Sequence, residues 1–405
     1  SMGENSLELV NRNTTEEILD RLITLGFCLY IVGILIYPPI IHYTKILFAI
    51  GIILKLVLMK GHIYYNSYCR NIIILMGIYC IVLFLSSIMS PYHSEGFRGA
   101  GEWLNKSVLL LAILLMINNI THLKIMFNCF IFCLFINSLY VIYDGVFCHN
   151  LRANAIVGSY MPTGTMLFFL FAISLILLIH YVKIKKIKLL LFLAVFICSF
   201  TAIIFNGTRG IWLGIPVLTL LVLWQMLDNK KNLLLIGTVF CGIIAMLYFV
   251  TPYINSRTDS IIETNNESKN ERILIWNSAL HMIKDYPVLG VGTDNFKNIY
   301  QKEYISPMAN EPNLEHAHNT YLEYAAENGI IGITSFILMM GYFLYIGWNM
   351  WRKNKKLYGL ITACIIMVIL LHGLTEFVFA HIIIANIFWP LLGTCMKLSL
   401  IADDN

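Results

Sequence analysis

The run MPTGTMLFFLFAISLILLIHY, residues 161–181, decides the architecture, because none of its positions is Asp, Glu, Lys or Arg. About 20 apolar residues at 1.5 Å rise each span the ~30 Å hydrocarbon core of a bilayer as a helix. Comparable runs precede it at 20–37, 43–59, 71–89, 103–118 and 123–143. Others follow at 187–205, 211–227, 232–250, 330–350, 357–376 and 377–398. The whole chain of 405 residues is 58% hydrophobic and 13% charged, whereas about a quarter of residues in soluble domains are charged. The expectation is an all-α integral membrane protein with about twelve transmembrane helices. Spans one to nine fall in 1–250, a long polar interval in 251–329, and three further spans with the C-terminus in 330–405.

The net charge of +5 is small for this length and reflects topology rather than nucleic-acid binding. Most of the ten cysteines, Cys28, Cys129, Cys198 and Cys364 among them, lie in apolar runs, and none lies in the polar interval. A disulfide framework or a zinc site needs cysteines clustered in polar context, so these read as small core hydrophobes. Ser1 ahead of Met2 reads as the remnant of a cleaved tag, and no cleavable signal peptide is expected after it.

Lysine and arginine in the short connections set the orientation. One set of connections holds Lys60, Arg70, Lys124, Lys183, Lys185, Lys186, Lys188, Lys230, Lys231, Arg352, Lys353, Lys355 and Lys356. The other holds only Lys45, Arg98, Lys106, Arg152 and Arg209. Both termini are therefore expected in the cytoplasm and the polar interval outside it, in the periplasm of a bacterium with an outer membrane. That face has no ATP or nucleotide sugar, so a transferase there needs a donor already activated on a lipid. No glycine-rich phosphate loop is found on the cytoplasmic side.

Within the interval, Ser268-Lys-Asn-Glu271 has capping-box spacing. Ile273, Trp276, Leu280 and Ile283 follow at helical spacing. They predict an amphipathic helix over 269–285, apolar face on the membrane surface. Arg272 falls in its first turn, where the helix dipole disfavours a cation, which suggests a partner or ligand. Gly290-Val-Gly292 reads as a turn rather than a phosphate cradle, with Thr293 or Asp294 capping a short helix to Tyr304. Thr320-Tyr-Leu-Glu323 is a second capping box, predicting a helix from Thr320 that Gly329 stops. His318 then sits just before a positive helix end, which favours the neutral imidazole of a general base. His316 could serve instead. Two histidines two residues apart, without a good third ligand, are poor geometry for zinc, so no metal is expected.

Arg209, in Asn206-Gly-Thr-Arg-Gly210 between two apolar runs, must sit at the outer membrane boundary. A guanidinium there either snorkels or clamps an anionic head group through bidentate bonds to phosphate oxygens. Arg152 and Arg98 allow the same two readings. Glu376 lies near the outer end of the eleventh span, where an acid is usually paired or functional. Arginines that hold a polyprenyl pyrophosphate, beneath a histidine that deprotonates a sugar hydroxyl, would suit glycosyl transfer without a metal ion.

The stretches 206–214 (NGTRGIWLG), 272–277 (RILIWN), 285–292 (DYPVLGVG) and 316–332 (HAHNTYLEYAAENGIIG) resemble the O-antigen ligase and O-antigen polymerase superfamily. The likeness covers about residues 152–332. It implies a membrane-embedded, GT-C-like, metal-independent inverting glycosyltransferase without a cofactor. Of the superfamily, the ligases move polysaccharide from undecaprenyl pyrophosphate to a sugar of lipid A–core. The resemblance implies His318 as base, with His316 as the other candidate. It also implies Arg209 and Arg272 as pyrophosphate ligands, Arg152 and Glu376 being further candidates. Expected partners are the lipid-linked glycan donor, the lipid A–core acceptor and membrane lipids, with no nucleic acid. The expected place is the bacterial inner membrane. The polymerase, which joins repeat units on the same carrier, is the close alternative. A twelve-span secondary transporter is a remoter one, because no six-plus-six repeat is visible.

Overall fold

The computed structural model describes residues 2–58, 63–150, 152–184, 187–228 and 265–402, and among these it is helical without strands. Among the described residues, eight α-helices come before the polar interval: α1 (Met2–Leu35), α2 (Ile41–Leu58), α3 (Ser67–Met89), α4 (His93–Met116), α5 (Ile120–Val146), α6 (Tyr160–Ile184), α7 (Lys188–Asn206) and α8 (Arg209–Met226). The described part of the interval holds α9 (Asn265–Asp285), α10 (Phe296–Ile299) and a π turn (Tyr300–Tyr304). Then come α11 (Thr320–Asn354), α12 (Leu357–His372) and α13 (Ile382–Ile401). Ten of these helices are long and apolar enough to cross a membrane, and α12 is a shorter apolar helix. The expected ninth span, 232–250, lies outside the described residues.

Burial sorts the helices by their chemistry. α6, uncharged until Lys183 in its last turn, is enclosed along most of its length, with Met166 through Ile173 all buried. Conversely α2 turns Ile46, Ile50, Ile53 and Leu56 outward, as a helix facing lipid does. Neighbours in sequence pack as antiparallel pairs, α1 on α2, α3 on α4, α6 on α7 and α11 on α12. Long-range contacts of α13 with α4 and of α3 with α11 close the bundle.

The polar interval has a small core of its own. Ile275, Ala279 and Met282 of α9 pack with Val291, Phe296, Ile299, Tyr300, Ala317 and Ala326. Of the expected membrane-facing set, Ile273 and Leu280 are exposed, while Trp276 and Ile283 pack against this core. The start of the helix also differs from the expected one. The helix already begins at Asn265, and the Glu271 carboxylate accepts from the amides of Asn310 (2.8 Å) and Glu311 (3.3 Å).

Stretch 285–292 is clamped onto 326–331. The amides of Val291 and Gly292 donate to the carbonyls of Ala326 and Glu327, and that of Ile330 donates to Pro287. Gly290 and Gly292 thus form a turn whose neighbouring amides are already engaged. Gly329 is non-helical (φ 64°, ψ −167°), but α11 resumes beyond it instead of stopping. A Cβ there would lie 2.2 Å from the Val288 carbonyl oxygen, so only glycine lets the two segments meet. Ser86 of α3 donates to the carbonyls of Leu289 and Glu327 and fixes this clamp to the bundle.

Candidate active site

The site forms where the start of α11 meets the turn between α12 and α13. Asn319, rather than Thr320, caps α11, its side chain accepting from the amides of Tyr321 (2.9 Å) and Leu322 (3.0 Å). Thr320 is used across the contact. Its amide donates to the Gly373 carbonyl and its hydroxyl to the Glu376 carbonyl (2.8 Å), while it accepts from the Val378 amide. Asn319 Nδ2 also donates to Leu374 and the Tyr321 hydroxyl to Leu370. Three consecutive polar residues therefore fasten 370–378 to the end of the polar interval, and they bring Glu376 to the histidines. The apolar helix expected to reach 376 ends at His372 so that this turn can form.

Both histidines face a carboxylate. His318 Nδ1 lies 3.3 Å from each oxygen of Glu376, which is almost fully buried. His316 Nδ1 lies 3.3 Å from Glu323 Oε1, and the other oxygen of Glu323 accepts from the Ala317 amide at 2.6 Å. Glu323 therefore does not complete a capping box. His318 adopts φ 50°, a left-handed conformation that costs a non-glycine residue about 1–3 kcal/mol and is over-represented at functional sites. Burial alone would raise the Glu376 pKa, but its bond to His318 and the charges of His318, His372 and His381 bring it below its ordinary value. A carboxylate only accepts, so His318 must donate from Nδ1, which leaves Nε2 as the atom with a lone pair. His316 differs. Burial disfavours its imidazolium, yet Glu323, then Glu376 and Glu315, outweigh that and raise its pKa, so it holds its proton more firmly than an ordinary histidine.

The arginines converge on the same place through the Asn206–Gly210 turn. Gly207, at φ 61°, ends α7. The Asn206 side chain then donates from Nδ2 to the carbonyls of Ala153 and Tyr160 (both 2.9 Å), and the Thr208 hydroxyl donates to Asn206 Oδ1 (2.6 Å). This draws the loop ahead of α6 against the start of α8. Arg152 stacks its guanidinium 4.7 Å from the Tyr160 ring centroid. At Gly210 a Cβ would meet the Thr375 hydroxyl at 1.9 Å, so the glycine is what lets Arg209 sit beside the Glu376 turn. The charges of Arg152 and Arg272 both bear on Arg209, and that of Arg272 bears on buried His372. Among the described residues, no carboxylate forms an ion pair with Arg152 or Arg272. Arg98 is engaged elsewhere, with Asp294 at 3.2 Å.

Sequence reasoning missed three members of this group. His372 Nδ1 contacts the Thr165 hydroxyl at 3.0 Å, His381 Nε2 lies 3.9 Å from Glu376, and Glu323 anchors His316. His372 and Glu376, four residues apart at the end of an apolar run, were the available signal. Among the described residues no three His, Cys, Asp or Glu side chains are arranged to hold a metal ion. The arrangement can bind an anion through two or three guanidinium groups and accept a proton beside it.

Residues 194–337 match the family model described as O-Antigen ligase, a stretch that contains Arg209, Arg272, His316 and His318. The resemblance to the O-antigen ligase superfamily thus holds over that segment. An uncharacterized protein of Haemophilus influenzae is 27% identical over 231 residues, which cover 53% of this chain and 56% of that protein. The chain thus spans about half the length of the curated relative it matches. Together with the apolar helices, these findings describe a multi-pass membrane protein that is similar to O-antigen ligases over residues 194–337.

Proposed function

We propose that the protein is an O-antigen ligase acting at the periplasmic face of the inner membrane. It transfers polysaccharide from undecaprenyl pyrophosphate to a hydroxyl of a lipid A–core sugar, with inversion. The observation that carries this reading is the pairing of His318 with Glu376 in the same site as Arg152, Arg209 and Arg272. The arginines bind the pyrophosphate. The acceptor hydroxyl attacks the anomeric carbon from the opposite face and gives its proton to His318 Nε2. The bond from that carbon to the pyrophosphate oxygen breaks, and the leaving group keeps the electron pair. Guanidinium charge compensates the developing anion, and Glu376 steadies the imidazolium. His316, with its raised pKa, suits this step less well than His318.

The test is expression in a ligase-deficient strain, where polymer on lipid A–core should reappear. Longer chains on the lipid carrier, with none on lipid A–core, would assign the polymerase reaction instead. Purified protein should keep its activity in chelator. A loss that divalent metal reverses would reject arginine-only stabilisation.

A further inference from the structure

We infer that His372 is a further ligand of the donor's pyrophosphate, giving a hydrogen bond from Nε2 to a phosphate oxygen beside Arg209 and Arg272. This rests on the glycosyl-transfer reading above and adds a binding residue to it. His372 ends α12 and is almost wholly buried, with 1% of its surface open. Its backbone has a structural task. The carbonyl accepts from the amides of Thr375 and Glu376 (both 3.0 Å) and so shapes the turn that carries Glu376. The side chain has a second one. Nδ1 lies 3.0 Å from the hydroxyl of Thr165, itself fully buried in α6. That hydroxyl has no other hydrogen-bond partner among the described residues, so its proton goes to Nδ1. A neutral ring that accepts at Nδ1 carries its own proton on Nε2.

The Nε2 proton has no acceptor among the described residues. Glu376, the nearest acid, pairs with His318 at 3.3 Å and His381 at 3.9 Å, and no carboxylate pairs with His372. Nor is the atom sealed off. His381 Nε2 is closed from outside and without a partner, whereas His372 Nε2 is not closed in this way. The ring edge next to Nε2 lies against the arginine turn, because a Cβ on Gly210 would come within 3.1 Å of His372 Cδ2. The charge of Arg272 acts on His372 and on Arg209 alike. An N–H beside two guanidinium groups cannot serve as their partner, but it completes a site for an oxygen anion. A histidine kept only to bridge α12 to α6 would need Nδ1 alone. Its Nε2–H would then be an unused donor in the interior, which folded proteins rarely keep.

The experiment measures binding to full-length protein in detergent by calorimetry, with undecaprenyl pyrophosphate, undecaprenol and inorganic pyrophosphate as probes. Wild type should bind undecaprenyl pyrophosphate most tightly. His372→Phe keeps a ring but loses the N–H, and should weaken that binding about tenfold or more, as expected for a hydrogen bond to a charged group. His372→Gln brings an amide N–H close to the position of Nε2 and should recover most of the loss. Thr165→Val no longer fixes the ring proton on Nε2. It should weaken binding in wild type and change nothing further in His372→Gln. Undecaprenol, which has no phosphate, should bind every variant alike, and inorganic pyrophosphate should lose the same factor in His372→Phe as the lipid does. The inference falls if His372→Phe or Thr165→Val binds the lipid as wild type does. It falls also if undecaprenol binding drops in step, which a merely structural role would cause. Binding of inorganic pyrophosphate alone would make the ligand a free anion and overturn the donor assignment. Should His372→Phe not fold, the effect of Thr165→Val in the two backgrounds decides by itself. A wild type that shows this dependence on His372 but transfers no saccharide would reject the functional reading and leave the phosphate contact standing.

Discussion

At the end of the bundle remote from the site, Lys55 is fully buried between α1 and α2, bonded to Asp20 and 3.5 Å from Glu16. Nearby Lys397 donates to the Leu114 carbonyl (2.8 Å) and Asn118 (2.9 Å), and lies 3.4 Å from the Tyr64 ring centroid. Each cation there meets an acid, a carbonyl or a ring. At the other end the acids Glu376 and Glu323 are committed to histidines, while Arg152, Arg209 and Arg272 crowd one another. Charges of one sign gathered in one place raise the energy of the empty site and lower that of the site with a bound anion. On the function proposed above, the first arrangement serves the fold and the second receives the donor's pyrophosphate.

The largest effect should come from the base. His318→Ala should lower transfer by about 10²–10⁴-fold, the usual contribution of a general base, without weakening donor binding. Glu376→Gln should cost at least about 10²-fold, because an amide can turn its NH₂ toward Nδ1 and reverse the tautomer. Assays of turnover and of donor binding on the same preparations separate these outcomes. A His318→Ala enzyme that keeps wild-type turnover would remove the basis for the contrast.

The remote end should answer in stability instead. Asp20→Ala leaves Lys55 buried with only Glu16, and should cost about 3–5 kcal/mol of stability with turnover per folded molecule unchanged. Removing both partners, as Asp20→Leu with Lys55→Met, should recover most of that loss. Arg209→Lys and Arg272→Lys should reverse the pattern. Melting would hold, while donor binding and turnover fall together by about 10–10³-fold, since an ammonium cannot make the bidentate phosphate contact. Equal melting losses at both ends would show the arginines to be structural.

Hydropathy made the spans legible, because twenty uncharged positions leave few other structures open. Arg209 was legible as a cation confined between two apolar runs, and His318 as a histidine ahead of a helix. What could not be read was partnership. Glu376 lies 58 residues from His318, and its approach depends on the Thr320 and Asn319 bonds to the 373–376 turn. Local signals were also degenerate. Asn319 and Thr320 can each cap a helix, and only the tertiary claim on Thr320 decides between them. Likewise the spacing of Ile273, Trp276, Leu280 and Ile283 could not show that Ile275, Ala279 and Met282 form the core face of α9, with Phe296 and Ala326.

The smallest effect separates the two histidine–glutamate pairs from each other. The folded pKa of His316 is raised above its ordinary 6.5. Its stabilisation is therefore fully present below about pH 6.5 and is lost as pH rises through the folded value. Glu376 has the opposite sign. Its folded pKa lies below the ordinary 4.5, so its stabilisation is present above that value and is lost as pH falls through the folded one. Melting curves of wild type, His316→Gln and Glu376→Gln, from about pH 4 to about pH 9, should show these losses at opposite ends. The His316→Gln deficit, on the order of 1–2 °C, should be full in mild acid and vanish in alkali. A deficit that instead grows with pH would mean that His316 is held neutral, and would make it the equal of His318 as a base.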